Sequence, residues 1–312
     1  MGSTMTLRIG IHTGQQDCTY EELRRLWRLA DDAGFYWISV WDHHYESPPV
    51  DGTHPAFETV SIMSALALET KRARVGCLVY SMGYRNPALI AKAVTTIDHL
   101  SNGRAELGIG AGWHEPEYHA YGYDFPRPGV RLDMLEEGAQ IIRSMLRQER
   151  TTFEGKHFTV RDATNFPRPV QPELRLWVGG GGEKRTIPIA ARYADAWNVA
   201  YVSPERFVDK MAVLDAACER EGRDPASIGR AVNVGFYMGV DEADAAAKRE
   251  LMPWPADDPR IGGQLVAGPA QTVERIGEYA RAGAEQLNIA VRAPFDWDAL
   301  GSFIEEVMPA FA

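Results

Sequence analysis

The sequence predicts an α/β fold, a closed (βα)₈ TIM barrel with insertions, and three observations predict it. Short apolar runs of β-forming residues alternate with longer segments of helical period, the pattern of parallel βα units. Eight such runs occur: Leu7–Ile11, Trp37–Val40, Val75–Val79, Ala105–Ile109, Leu176–Val178, Ala196–Val199, Val232–Met238 and Leu287–Val291. Parallel crossovers are right-handed, so eight consecutive units most simply close into a barrel whose functional residues project at the C-terminal strand ends. An open doubly wound sheet is the alternative.

The segments between the runs carry helix signals of their own. In "TYEELRRLWRLADDAG", Thr19 is the candidate N-cap, Glu22 follows three residues later, Leu23, Leu26, Trp27 and Ala30 share a face, and Gly34 terminates. "SPERFVDKMAVLDAACEREG" repeats the logic with Ser203, Pro204 and Gly222, and "GPAQTVERIGEYARAGA" does so before the eighth run. Three stretches, 111–130, 148–174 and 241–267, exceed the ~12–15 residues of a plain connector and are expected to carry function or local structure. The second holds "TTFEGKHFTV", whose alternation about Glu154-Gly155-Lys156 reads as a hairpin. The third is broken by Pro253, Pro255 and Pro259 and reads either as a mobile lid or as an irregular surface excursion. No repeat or linker marks a second domain, so residues 1–312 are expected to form one.

A chain of 312 residues, 45% hydrophobic and 24% charged, has the composition of a globular protein with a large core. Its net charge of −10, with no Lys/Arg run, argues against nucleic-acid and anionic-membrane partners and leaves a small molecule. Cys18, Cys77 and Cys218 are scattered and lack a CxxC spacing, which disfavours both disulfides and a zinc knuckle. The N-terminal "MGSTMTLRIG" has no apolar core and no apolar run approaches ~20 residues, so neither an export signal nor a membrane span is expected. A cytoplasmic location follows as the expectation.

The chemistry-bearing stretch is "SVWDHHYESP" after the second run. Asp42, His43 and His44 fall at the mouth of the expected barrel, where imidazole is the side chain best suited to proton exchange at neutral pH and a neighbouring Asp can set its tautomer. Adjacent residues of an extended segment point to opposite sides, so one His faces the pocket. The same groups could equally cap the strand end and hydrogen-bond the loop. A metal site is not expected, because adjacent residues converge poorly on one ion. "HEPEYH", His114 to His119, also fails as a zinc motif: its second His comes five residues after the first, and Pro116 disfavours the helix that would align them.

Two glycine clusters complete the picture. In "LGIGAGWHEPEY", Gly108, Gly110 and Gly112 allow either close approach to a flat ligand or tight packing, and Trp113 breaks the dinucleotide fingerprint. In "WVGGGGEKRT", Gly179, Gly180, Gly181 and Gly182 join the fifth run to a helix expected near Glu183. With Lys184, Arg185 and Thr186 in its first turn, this makes an anion cradle for a small phosphorylated molecule, or else a flexible turn with solvated basic residues.

Taken together, "GIHTGQQ", "WDHHY", "GCLVYSMGYRNPALIAK", "ELGIGAGWHEPEYHAYGYDFPRPGVRLDMLEE" and "WVGGGGEKRTIPIAARYADAWN" resemble the luciferase-like flavin/deazaflavin superfamily, and within it the deazaflavin-dependent oxidoreductases. The resemblance runs from about Leu7 to the last helix. It implies a barrel holding a deazaflavin, coenzyme F420, or alternatively FMN, at its mouth. Gly179–Gly182 and Lys184 would lie near the phosphate, and Ala111, Gly112, Trp113 and His114 near the ring. His114 stands where many relatives carry Asn, and His44 where many carry an aromatic residue. A bulged third strand would support the ring with a non-prolyl cis peptide at Cys77-Leu78, with Cys77 a packing thiol behind it. Asp42 would contact the cofactor, and His43 would exchange the proton that accompanies hydride transfer between F420 and a substrate carbon. A reduced-FMN monooxygenase of the same fold is the alternative function, and a non-catalytic flavin or anion-binding barrel the second. Homodimers are usual in the superfamily. His12, Trp197, Arg292 and the three long stretches would shape the substrate pocket without spelling out its specificity.

Overall fold

The computed structural model describes residues 7–47, 51–252, 254–255 and 257–311. The first six residues of the leader expectation, Pro48 of the Asp-His-His stretch and Pro253 of the third insertion lie outside the described residues. Eleven strands are present: β1 (Arg8–Thr13), β2 (Trp37–Val40), β3 (Arg74–Ser81), β4 (Ala105–Gly110), β5 (Arg150–Glu154), β6 (Thr159–Thr164), β7 (Leu176–Gly179), β8 (Ala196–Ala200), β9 (Gly229–Phe236), β10 (Gln264–Leu265) and β11 (Gln286–Val291). Eight of them pair in parallel in the order β1-β2-β3-β4-β7-β8-β9-β11, and β11 pairs back to β1. That closure gives the (βα)₈ barrel and removes the open-sheet alternative. The helices are α1 (Tyr20–Ala33), α2 (Thr59–Glu69), α3 (Pro87–Leu100), α4 (Glu115–Ala120), α5 (Pro128–Arg147), α6 (Thr186–Tyr193), α7 (Pro204–Arg220), α8 (Glu242–Glu250), α9 (Pro269–Arg281) and α10 (Trp297–Ser302). Among the described residues no helix is long and apolar enough to cross a membrane.

Local chemistry sets the helix ends. Thr19 and Glu22 form a reciprocal capping box at α1, and Gly34 closes it at φ 87°, a left-handed conformation that suits glycine. The insertions are more ordered than expected of plain loops. The first contains α4, because Pro116 sits in the opening turn, where its missing N–H breaks no helical bond; the expectation that it would prevent a helix is corrected. The second is the expected β5–β6 hairpin, held against α5 by Glu137, whose carboxylate accepts the backbone N–H groups of Lys156, His157 and Phe158 at 2.8–2.9 Å. The third carries α8 and β10, the latter pairing with the end of β9.

The barrel interior is filled at its N-terminal end. Trp37 and Trp177 pack with ring centroids 4.8 Å apart and planes tilted by 37° beside Leu78, Ala196 and Ala231. Gly76 makes room for them, since a Cβ there would lie 2.7 Å from Trp37 Cζ2. Several buried polar groups there are paired: Glu106 accepts from Arg74 and from the Trp177 indole, while Asn233 Oδ1 accepts from Asn198 at 3.0 Å and Asn288 at 2.8 Å. A ligand is thereby confined to the C-terminal mouth.

At that mouth β3 is bulged. Cys77 pairs with Leu107 and Tyr80 with Ile109, three steps on β3 against two on β4. The cis peptide is Leu78-Val79, one bond later than expected at Cys77-Leu78. The reason lies in the pairing: Cys77 keeps regular register and is wholly buried in the layer between barrel and helices, so the extra residue enters only after it. Val79 is then directed over the glycines of the neighbouring strands. A Cβ on Gly110 would lie 2.5 Å from Val79 Cγ2, and one on Gly179 would lie 2.7 Å from Val79 Cγ1. Packing against Val79, rather than open backbone, thus accounts for Gly110 and Gly179. Gly110→Ala is expected to lower unfolding stability by about 1–3 kcal/mol through overpacking, with the Gly110→Ala/Val79→Ala double variant losing less than the sum of the single losses, as measured by urea denaturation.

Candidate active site

His43 follows β2, and its imidazole is held by a residue 74 positions away. His43 Nδ1 lies 2.7 Å from Glu117 Oε1, on α4. Glu117 is wholly buried and receives three further donors: Tyr84 OH on the same oxygen, and the backbone N–H groups of His44 at 2.7 Å and Tyr45 at 3.1 Å on Oε2. Burial alone would raise this carboxyl, but the His43 bond and charge, then the Tyr84 and Tyr45 bonds, bring it down to about 2. Glu117 is therefore ionised at neutral pH and can only accept. His43 must carry a proton on Nδ1 to donate to it, which leaves Nε2 as the atom that exchanges protons.

Asp42 has a different partner from the one expected. Both its oxygens accept from Arg85, at 2.8 and 2.7 Å, and Oδ2 also accepts the Ser81 N–H at 2.9 Å. Arg85 reaches on to Glu58, the N-cap of α2, at 2.8 Å. Burial works against the Arg85 charge, yet the carboxylates of Asp42 and Glu58 hold its proton more firmly than usual. Asp42 thus ties the end of β2 to β3, and the expectation that it sets the His43 tautomer is corrected: Glu117 does so. The physical reason is reach, because the Asp42 carboxylate is fully engaged by Arg85 and Ser81.

The remaining residues of the two stretches divide by surroundings. His44 packs against Tyr84 and Tyr121 with ring centroids 4.6 Å from each and planes tilted by 32° and 40°, and burial lowers its pKa. His114 is 1% exposed, neither ring nitrogen has a hydrogen-bond partner, and burial keeps it neutral at physiological pH. It meets the His43 ring edge-on at 5.3 Å, as does Trp113, which is 60% exposed at the rim. His43, His114 and Glu117 offer ligand atoms within 4.8 Å of one another. Four donors already occupy the Glu117 lone pairs, however, so this trio is built as a hydrogen-bonded acid–base set rather than as a metal cage.

Across β3 and β4 lies the glycine run. Gly180 adopts φ +126°, which only glycine tolerates, and donates its N–H to Asn198 O at 2.9 Å. The helix after it, α6, begins at Thr186 rather than near Glu183. Ion pairs explain the delay: Arg185 is drawn to Asp133 at 2.8 Å and Glu136 at 3.2 Å on α5, and Glu183 to Lys210. Arg185 therefore belongs to a structural contact, whereas Lys184 is exposed and forms no ion pair among the described residues. Val79 links the two halves, touching the space over Gly110 and Gly179 while Ser81, two residues on, contacts Asp42. His43, Ala111, Gly112, Trp113 and Gly179–Gly182 consequently surround one end of the barrel, whereas the Cys77 side chain does not reach it.

Glu117, Tyr84, Arg85 and Val79 are the residues that sequence reasoning missed. The signal for Glu117 was present as the His114-x-x-Glu117 spacing on one helical turn. A separate cavity of about 670 Å³ lies between α8, β10 and α9, lined by residues such as Arg249, Trp254, Gln271 and Arg275 and by none of the mouth residues.

Residues 1–259 match the family described as luciferase-like monooxygenase. The F420-dependent glucose-6-phosphate dehydrogenase of Intrasporangium calvum is 27% identical over 317 residues, covering 90% of this chain and 91% of that protein. The pyrimidine monooxygenase RutA of Cronobacter sakazakii is 30% identical over 214 residues, 67% of this chain and 57% of that protein. An uncharacterized Mycobacterium tuberculosis protein is 29% identical over 184 residues, 54% of this chain, and the match spans 64% of that protein's length. Among solved structures, an F420-dependent secondary alcohol dehydrogenase in complex with an F420-acetone adduct superposes with a TM-score of 0.84 at 20% identity, covering 99% of this chain and 100% of that one. At that identity the likeness is one of fold. The closed parallel barrel, its bulged third strand and the family match over most of the chain together make this protein a member of the luciferase-like monooxygenase family.

Proposed function

We propose that the chain is an oxidoreductase that moves a hydride between coenzyme F420 and a small organic substrate, with His43 as its acid/base. The observation that carries this reading is the His43–Glu117 pair, which pins one imidazole proton and frees the other nitrogen at the barrel mouth. Hydride transfer to or from an alcohol carbon requires that kind of group, because a proton moves with the hydride. Similarity supports it too: the match to an F420-dependent dehydrogenase extends over 90% of the chain.

The residues fit a flat ring with a phosphate arm. Val79 offers a partly exposed apolar support, Trp113 an exposed indole at the rim, and Gly180 turns the chain over the start of α6 with Lys184 outside it. F420, when bound, supplies the carbon that accepts or releases the hydride. His43 Nε2 takes the hydroxyl proton of an alcohol, or returns it to a carbonyl. The imidazolium formed in the first direction is stabilised by Glu117, which stays ionised. Asp42 and Arg85 hold the β2 end in place through their paired hydrogen bonds. The family reading also brings a homodimer, which sedimentation of the purified chain tests.

A reduced-FMN monooxygenase is the second reading, favoured by the 30% identity to RutA. Fluorescence titration separates the two: F420 is expected to bind at micromolar concentration or better and FMN not, and the reverse result with substrate-dependent oxygen uptake would support the monooxygenase. His43→Ala is expected to lower turnover by roughly 10²–10⁴ while F420 affinity stays within a few-fold; unchanged turnover removes His43 from the chemistry. Glu117→Gln is expected to lower turnover by about 10–100-fold, since an amide cannot compensate the imidazolium. It also has a pH signature. The native carboxyl sits near 2 and an unfolded one near about 4.3, so the unfolded chain binds the extra proton between those values. The stability that Glu117 confers is therefore full above about pH 4.3 and is lost as pH falls toward 2, so urea midpoints of wild type and Glu117→Gln should converge over that window.

A further inference from the structure

On the side of the mouth facing β1 and β11, one cation stands without an anion. Arg292 directly follows β11, and its Nε is buried with no acceptor. Among the described residues it forms no ion pair; its one side-chain hydrogen bond is from NH2 to Tyr201 OH at 3.3 Å. Arg85, on the other side, shows the ordinary solution, with two carboxylates on one guanidinium. The guanidinium of Arg292 lies 5.0 Å from the Trp41 ring, and Trp41 Nε1 is a second buried donor with no acceptor. Gly14 admits both side chains: a Cβ there would lie 2.9 Å from Trp41 Cη2 and 3.3 Å from Arg292 Cγ. The neighbouring titratable groups are His12, Tyr201 and Tyr237. His12 is pushed down to about 3, by burial first and by Arg292 second, and is neutral at physiological pH, while burial raises the Tyr237 hydroxyl. The niche holds one partly exposed positive charge and two buried donors, Arg292 Nε and Trp41 Nε1, that lack acceptors, and a buried donor left unpaired is unfavourable.

We infer that Arg292, with Trp41 and Tyr201, seats the carboxylate of a small organic acid that is the substrate of the His43 reaction. The inference rests on the proposed function and names its substrate class. A carboxylate fits better than a phosphate monoester because the niche offers a single positive charge beside a neutral imidazole, and a guanidinium fork matches a planar carboxylate. Position links the seat to the chemistry: the Trp41 ring is 5.0 Å from the Arg292 guanidinium and 5.8 Å from the His43 ring, so both groups border one indole and lie within reach of one small molecule.

The test is calorimetric titration of the whole chain, without cofactor, with acetate, benzoate, benzamide and phenyl phosphate, alongside F420 titration of the same variants. Expected is binding of benzoate or acetate that weakens by at least tenfold in Arg292→Met and recovers in part in Arg292→Lys, while benzamide binds weakly and equally to all. F420 affinity should stay within about threefold throughout. Equal carboxylate affinity in wild type and Arg292→Met, binding of neither carboxylate, tighter binding of phenyl phosphate, or loss of F420 affinity in Arg292→Met would each overturn the assignment. If F420 does not bind the wild type at all, the F420 reading fails, while the carboxylate result still decides the seat.

Discussion

The carboxylate of Glu117 is the constraint on which the mouth depends. A fully buried anion is tolerable only when its lone pairs are met, and here the four donors come from separate parts of the chain. His43, with the backbone of His44 and Tyr45, belongs to the loop after β2; Tyr84 follows β3; and Glu117 itself lies on the helix inserted after β4. One ion thus fixes three loops relative to one another. It also fixes where the proton on His43 sits, so geometry and acid–base chemistry have a single origin.

A second constraint acts in series with the first. The β3 bulge places Val79 over Gly110 and Gly179, which makes a floor between the histidine side and the glycine run. The same strand ends at Ser81, whose N–H meets Asp42, and four residues later Arg85 closes on Asp42 and Glu58. Apolar packing below and an ion-pair chain above therefore hold β2, β3 and α2 as one block. His43 works from that block, and Glu117 on the inserted α4 fixes its imidazole.

Much of the fold was legible because it is written in local patterns. The eight barrel strands, the Thr19 and Ser203 caps and the β5–β6 hairpin all follow from periodicity and terminator residues. What was not legible depends on long-range pairing. Asp42 is adjacent to His43 in sequence, yet it pairs with Arg85, while the true partner is 74 residues on. The peptide bond that turns cis differs by one position because register, not motif spacing, decides where an extra residue enters the strand. Arg185 reads as part of an anion cradle until α5 brings Asp133 and Glu136 beside it. Pro116 reads as a helix breaker until the helix is seen to start at its own first turn.

Charge matching ties these observations to the reaction proposed. Around the mouth, Asp42 and Glu58 are balanced by Arg85, and Glu117 by hydrogen bonds that include His43. Removing a hydride and a proton from an alcohol leaves the organic molecule with its charge unchanged, and the proton stays on His43 as an imidazolium already faced by an ionised carboxylate. The proton's new charge on His43 therefore has a partner already in place, while the hydride would carry its negative charge to the cofactor. A carboxylate on the substrate would add the one anion that Arg292 lacks, so that binding and chemistry use different charges and neither disturbs the other. Such separation would let Arg292 select the molecule while Glu117 sets the proton, with Trp41 bordering both Arg292 and His43.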